Sequence, residues 1–294
     1  MQHTFESTTK TTSFFKSFDG TPIYYEVRGQ GEPIIFVYGI ACLINNWHHQ
    51  ISYFSKSCQT IVFDLRGHHK SALIPTDQNL TMDSLAEDLI CLLKHLKIEK
   101  AHFVGHSFGV PILIKAYEVK PSIFKTTTFI NGFSKNPIKG MFGLDIIEPF
   151  FHFVKGQFSI APEVWTQIWR LAVYNPLSMR LAALAGGFNL KLTHFKDIEV
   201  YARGVAQLDL TVFLGMFEEL MSFNGDPILE KMEIPVLIIS GENDHVTPKK
   251  FQTHMRKTIK NNEYVLVPYG SHCTQLDFPD YVNLKIEKFV LQNL

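Results

Sequence analysis

The chain of 294 residues carries 28 basic and 28 acidic side chains, so its formal net charge is zero, and 46% of it is apolar. Those values exclude a disordered or collagen-like chain and leave no basic stripe for nucleic-acid phosphates. No apolar run reaches the ~20 residues of a membrane span, and residues 1–12 are polar and threonine-rich, so the expectation is a soluble cytoplasmic protein without a secretion signal.

From residue 12 to 134, short β-rich runs alternate with helical patterns, which predicts βαβ units and a mostly parallel sheet. The runs at 12–17, 23–28, 33–38, 59–63, 101–105 and 126–131 read as strands. Asp19-Gly20 between the first two predicts an antiparallel hairpin. Over 81–96, Met82, Leu85, Leu89, Leu92, Leu93 and Leu96 recur at helical spacing, with Thr81 placed to cap the first turn. A second helical run, 110–117, follows the fifth strand.

Between 133 and 225 the strand signal disappears. Several helices are expected there, separated by breakers at Asn136-Pro137, Gly156, Asn175-Pro176 and Gly186-Gly187. Buried-strand patterns return at 235–241 and 263–267, and a closing helix follows Pro279. The predicted organisation is a core from 1–132 and 226–294, with a helical cap from 133–225 inserted after the sixth strand. It should lie over the carboxyl edge of the sheet, where open α/β sheets bind ligands.

The sequence Gly105-His106-Ser107-Phe108-Gly109 sits between an apolar strand and a helix. A sharp strand-to-helix turn exposes its central hydroxyl and needs glycines where side chains would collide. A serine hydroxyl is a poor nucleophile unless a base takes its proton and a third group orients that base. Asp244, after the strand at 235–241, and His272, after the strand at 263–267, leave strand ends on the side where Ser107 emerges.

At these motifs the chain resembles the α/β-hydrolase superfamily, from about residue 18 to the C-terminus. FDGTPIYYEVRGQGEPIIFVYG, DLRGHHKS, GHSFG, IPVLIISGENDHVTP and GSH occur in the family's order. The resemblance implies an eight-stranded, mostly parallel sheet flanked by helices. It carries over Ser107 as nucleophile, Asp244 as acid and His272 as base, with main-chain N–H groups of Ile40 and Phe108 as the oxyanion hole. Glu242 competes with Asp244 for the acid, and the family position together with Pro248 favours Asp244. The position after the sixth strand, where some relatives place the acid, reads Asn131-Gly132 and offers no carboxylate.

Two departures stand out. Relatives read His-Gly where this chain has Tyr38-Gly39, which places a tyrosine at the edge of the expected pocket. Relatives also carry glycine in place of His69, so a different backbone is expected there if that glycine sits at positive φ.

The chain has 25 phenylalanines. Phe142, Phe150, Phe151, Phe153, Phe158, Trp165, Trp169 and Phe188 fall in the cap, more rings than a small cap buries internally. Phe142, Phe150, Phe151, Trp165 and Trp169, with Tyr38, are expected to line a hydrophobic substrate pocket; contact with a membrane surface is the weaker reading of the same rings.

The four cysteines lack CxxC spacing and read as reduced thiols, with Cys91 a small core residue. His48-His49 and His68-His69 are sequence neighbours, which do not face one point on a helix or strand, so no metal site is expected. His106 is expected to pack beneath the serine turn. No cofactor or metal is implied.

The expected activity is hydrolysis of an ester or thioester with a hydrophobic acyl or alkyl group. Carbon–carbon, lactone and perhydrolase chemistry on the same triad, and a slow-turnover small-molecule receptor, remain alternatives.

Overall fold

Eight strands form one sheet: β1 (Lys10–Lys16), β2 (Pro22–Arg28), β3 (Pro33–Val37), β4 (Gln59–Phe63), β5 (Ala101–His106), β6 (Phe124–Ile130), β7 (Val236–Gly241) and β8 (Asn262–Val267). They come from a computed structural model that describes residues 10–71, 80–139, 141–184 and 186–294. The strand order is β1-β2-β4-β3-β5-β6-β7-β8. β1 and β2 pair antiparallel, as do β2 and β4, and every pairing from β4 through β3 to β8 is parallel. All eight expected strands are present, and no end moves by more than two residues.

The central strands are buried over nearly their whole length because helices cover both faces of a parallel sheet, and the polar residues they carry, such as His102 and Thr126 to Thr128, are buried with them. β5 and β7 are buried at every position. The β1–β2 hairpin turns at Asp19-Gly20, with Gly20 at φ 85°.

Twelve α-helices accompany the sheet among the described residues: α1 (His48–Phe54), α2 (Met82–Leu96), α3 (Gly109–Val119), α4 (Ile147–Ile160), α5 (Pro162–Val173), α6 (Pro176–Leu184), α7 (Phe195–Gln207), α8 (Leu210–Ser222), α9 (Asp226–Leu229), α10 (Lys250–Thr258), α11 (Thr274–Asp277) and α12 (Pro279–Leu291). The expected cap on α2 forms: the Thr81 hydroxyl accepts from the Ser84 N–H at 3.2 Å. α1 and α10 escaped the periodicity reading because seven and nine residues hold too few repeats to stand out.

Helices α4 to α8 all lie between β6 and β7 in the chain. Asn175-Pro176 and Gly186-Gly187 separate helices as expected. Gly156 does not: it sits inside α4, where a side chain would meet nothing within 4 Å. A helical glycine costs ~1 kcal/mol, and burial of Phe151 on the same helix favours keeping the turn intact. No described helix is long and apolar enough to cross a membrane.

One buried ion pair ties the loop after β4 to α2. The Arg66 guanidinium, fully shielded from solvent, donates to both carboxylate oxygens of Asp88 at 2.7 and 2.6 Å and to Asp19 at 3.0 Å.

Candidate active site

Parallel neighbours end on the same edge, so the segments leaving β3, β5, β6, β7 and β8 meet above it. Ser107 follows β5, Asn131 follows β6, Asp244 lies in the loop after β7, and His272 lies in the loop after β8. This adjacency is what brings together side chains far apart in the chain.

Ser107 occupies the left-handed region at φ 54°, where a non-glycine residue is strained. Packing around the turn enforces it. A Cβ on Gly109 would lie 2.2 Å from the Val37 carbonyl oxygen, and one on Gly105 would lie 2.8 Å from Leu113. Both glycines therefore let α3 begin tight against β3 and β5, leaving the serine hydroxyl standing above the strand end.

His272 Nε2 lies 3.0 Å from Ser107 Oγ, and His272 Nδ1 lies 3.0 Å from Asp244 Oδ2. A carboxylate only accepts, so Nδ1 carries the proton and Nε2 presents its lone pair to the serine hydroxyl. Asp244 is held in turn: its Oδ1 accepts from the N–H groups of Val246 and Thr247, each at 2.9 Å. The Thr247 hydroxyl lies 2.8 Å from Asp244 Oδ2 and 2.7 Å from the Asn131 carbonyl oxygen, and with one proton it serves one acceptor at a time. Glu242 is instead an exposed side chain that accepts from the Tyr269 N–H.

The histidine loop is fixed through its backbone. The side-chain amide of Asn131 reaches the carbonyls of Ser271 and His272 at 2.9 and 2.7 Å, while its oxygen accepts from Gly241 N–H at 2.7 Å. His106 Nε2 donates to the same His272 carbonyl at 2.9 Å. Burial and the neighbouring His272 push the His106 pKa down to about 3, so this support is neutral. From the inserted helices, the Gly186 carbonyl accepts from His272 N–H at 2.9 Å. None of these supports announces itself by residue type, and at Asn131 the sequence shows only the lack of a carboxylate.

Tyr38 does not reach the pocket. It is completely buried, its hydroxyl donating to Asp64 at 2.9 Å and accepting from Leu65 N–H at 3.0 Å. The ring lies beneath the loop rather than at its edge because these two partners satisfy its hydroxyl in the core. The two histidines of the DLRGHHKS block support the same loop from outside. His68 Nε2 accepts from Ala41 N–H at 3.0 Å, and His69 Nε2 donates to the Cys42 carbonyl at 2.8 Å. His69 sits at φ 45°. Thus the histidine adopts the left-handed backbone instead of avoiding it, with the Cys42 bond holding it there.

His48 and His49 do face one point despite being sequence neighbours. Their ring centroids are 3.8 Å apart and both face Asp197.

Ser107 and His272 open into a cavity of about 550 Å³ whose lining, among the described residues, comprises 28 residues with no Asp, Glu, Lys or Arg. Ile40 and Phe108, the neighbours of Ser107 in the site, line it, and so do Phe142, Phe150, Phe151, Trp165, Trp169 and Phe188. Phe153 and Phe158 are not among its lining residues. Cys273 also faces the cavity, but burial lifts its thiol well above the ordinary cysteine range, so no thiolate competes with Ser107.

Comparisons with known proteins agree with this architecture. The family model of the alpha/beta hydrolase fold matches residues 32–279. The chain is 23% identical over 265 residues to the "Putative carbamate hydrolase RutD" of Azorhizobium caulinodans, covering 89% of this chain and 92% of that protein. It is 22% identical over 270 residues to an (E)-2-((N-methylformamido)methylene)succinate hydrolase of Acinetobacter baylyi, covering 92% and 94%. Among solved structures, an esterase from Exiguobacterium antarcticum superposes with a TM-score of 0.78 at 16% identity, covering 96% of this chain and 100% of that one.

Proposed function

The chain belongs to the alpha/beta hydrolase fold family, and from that premise we propose that it is a serine hydrolase that cleaves an ester or thioester bearing a hydrophobic acyl or alkyl group. The observation that carries this reading is the Ser107 hydroxyl, 3.0 Å from a carboxylate-oriented His272, opening into a cavity whose described lining residues include no Asp, Glu, Lys or Arg.

In this mechanism Ser107 Oγ attacks the carbonyl carbon as His272 Nε2 takes its proton, and Asp244 stabilises the resulting imidazolium. The main-chain N–H groups of Phe108 and Ile40 stabilise the charge developing on the carbonyl oxygen. Collapse returns the proton through His272 to the leaving alcohol or thiol, and water then cleaves the acyl-enzyme by the same route. Helices α4 to α8 act as a cap that keeps water from the apolar part of the substrate.

The cavity lining selects among substrates by desolvation. A carboxylate or phosphate moved there would lose its hydration without gaining a cationic partner, whereas an alkyl chain gains about 25 cal/mol per Å² buried. A second reading, cleavage of a carbamate C–N bond, takes its support from the name of the Azorhizobium caulinodans relative. The same triad performs it, but no charged lining group is available to orient a small polar carbamate.

The test is labelling with a fluorophosphonate probe followed by turnover of p-nitrophenyl esters of graded chain length. One label per wild-type chain, none on Ser107→Ala, and rates that rise from acetate toward longer acyl chains are expected. Failure to label, or preference for a carbamate over every ester, would overturn the reading.

A further inference from the structure

A 3-10 turn at Ile44–Trp47 leads into α1, and the first two residues of that helix, His48 and His49, direct both imidazoles toward Asp197 in the first turn of α7. His48 Nε2 lies 3.6 Å from Asp197 Oδ1, and His49 Nε2 lies 3.9 Å from Asp197 Oδ2. Both distances are too long for hydrogen bonds.

The other ring atoms narrow the chemistry. His48 Nδ1 is 2.8 Å from the Asn45 carbonyl oxygen, which can only accept, so Nδ1 carries its proton and in the neutral ring Nε2 points a lone pair at the carboxylate. His49 Nε2 is shielded from water and has no hydrogen-bond partner. The three ligand atoms lie within 4.8 Å of one another. A lone pair facing a carboxylate is repulsive unless a cation lies between them.

That cation is either a proton on a ring or a metal ion. Charging both rings would set two imidazolium ions with centroids 3.8 Å apart against each other. A metal ion can meet all three donors after a small inward shift: ligand bonds of about 2.0–2.2 Å around a tetrahedral zinc place donor atoms roughly 3.3–3.6 Å from each other, against 3.6 and 3.9 Å for the two imidazole–carboxylate pairs. A ring N–H bonded to a backbone carbonyl is also the usual outer support of a metal-bound histidine.

We infer that His48, His49 and Asp197 form a binding site for one divalent transition-metal ion of the zinc type, two imidazole nitrogens and a carboxylate oxygen supplying its ligands. Water completes the coordination from the exposed side, where the His48 and His49 side chains keep 35% and 28% of their accessibility. The site bridges two parts of the fold. His48 and His49 follow the segment that leaves β3 past Ile40, while Asp197 belongs to α7, whose Tyr201 lines the cavity. Metal binding therefore pins α7 to the core without taking part in chemistry at Ser107.

The test uses the full chain, stripped with a chelator and titrated with Zn²⁺ alone by calorimetry, with thermal unfolding followed in parallel. One Zn²⁺ per chain and a rise in Tm are expected, because a ligand bound only by the folded state stabilises it. Both should be lost, with affinity down at least tenfold, in His49→Ala and in Asp197→Asn, and both should persist in His152→Gln, which removes an exposed histidine elsewhere. Zinc-edge X-ray absorption of the wild type reads two imidazole ligands directly, so the outcome does not depend on the variants folding. No Zn²⁺ binding by the wild type, a spectrum without imidazole scattering, or binding and Tm shift unchanged in both folded variants would overturn the inference. Ester turnover of the stripped protein separates this result from the hydrolase reading, which predicts activity without the metal.

Discussion

The side-chain amide of Asn131 lies 2.7 Å from the carbonyl oxygen of His272 and, through its own oxygen, 2.7 Å from the N–H of Gly241. A residue at the end of β6 thereby clamps the end of β7 to the loop after β8. Asn131 also holds φ at 46°, a conformation asparagine tolerates better than most residues. Asn131→Ala leaves the buried Gly241 N–H unpaired and strains the turn, at a cost of about 2–4 kcal/mol in stability. Displacement of the imidazole should lower kcat at least tenfold while leaving KM on a p-nitrophenyl ester nearly unchanged. Urea unfolding and steady-state kinetics check the two parts separately; a normal kcat would remove Asn131 from the positioning of His272.

Acidification should destabilise the protein through its buried histidines. His68 and His106 are held neutral with pKa values near 3, and His102 near 4, chiefly by burial. In the unfolded chain an ordinary histidine takes up a proton near pH 6.5, so below that pH the unfolded state binds more protons than the folded one. Stability is therefore fully present above about pH 6.5 and is lost progressively as pH falls toward 4 and then 3, by up to about 2 kcal/mol per histidine at pH 5. Urea midpoints at pH 7 and 5 measure this, and His68→Gln should flatten the slope.

Asp88→Ala removes the bidentate partner of a guanidinium that is fully shielded from solvent. Leaving a buried charge short of its counter-ion costs about 3–5 kcal/mol. The denaturation midpoint should fall accordingly, while esterase kcat in the protein that remains folded stays within a factor of a few. A stability loss below 1 kcal/mol would mean that the remaining partners of Arg66, Asp19 among them, suffice for its charge.

Phe217 stacks on both Phe151 and Phe213, at centroid separations of 5.2 and 5.5 Å, and lines the cavity. Phe217→Ala removes apolar wall from the region where a long chain would lie. The ratio of kcat/KM for a long-chain ester to that for acetate should change about tenfold, the effect of one or two methylene contacts. A ratio unchanged within twofold would confine this ring to packing.

Two directions of reading meet in these residues. The order Ser107, Asp244, His272 and the eight strands were legible in the chain because they depend on local patterns. Apolar runs make strands, and glycines two positions either side of a serine permit a tight turn. The capping of α2 by Thr81 belongs to the same class, since its bond spans three residues.

What tertiary structure alone decided are the partners of polar atoms. Tyr38 reads as a pocket residue by its place in the chain, yet Asp64 and Leu65 draw its hydroxyl into the core. His68 and His69 read only as a pair without a metal, and the fold alone shows that they hold the backbone of Ala41 and Cys42. His48 and His49 converge on Asp197, about 150 positions away, only because α7 returns over the segment after β3. Hydrophobic periodicity fixes which face of an element turns inward, and that is a local property. Which donor meets which acceptor depends on where distant segments cross, and no window of sequence contains both sides of that crossing.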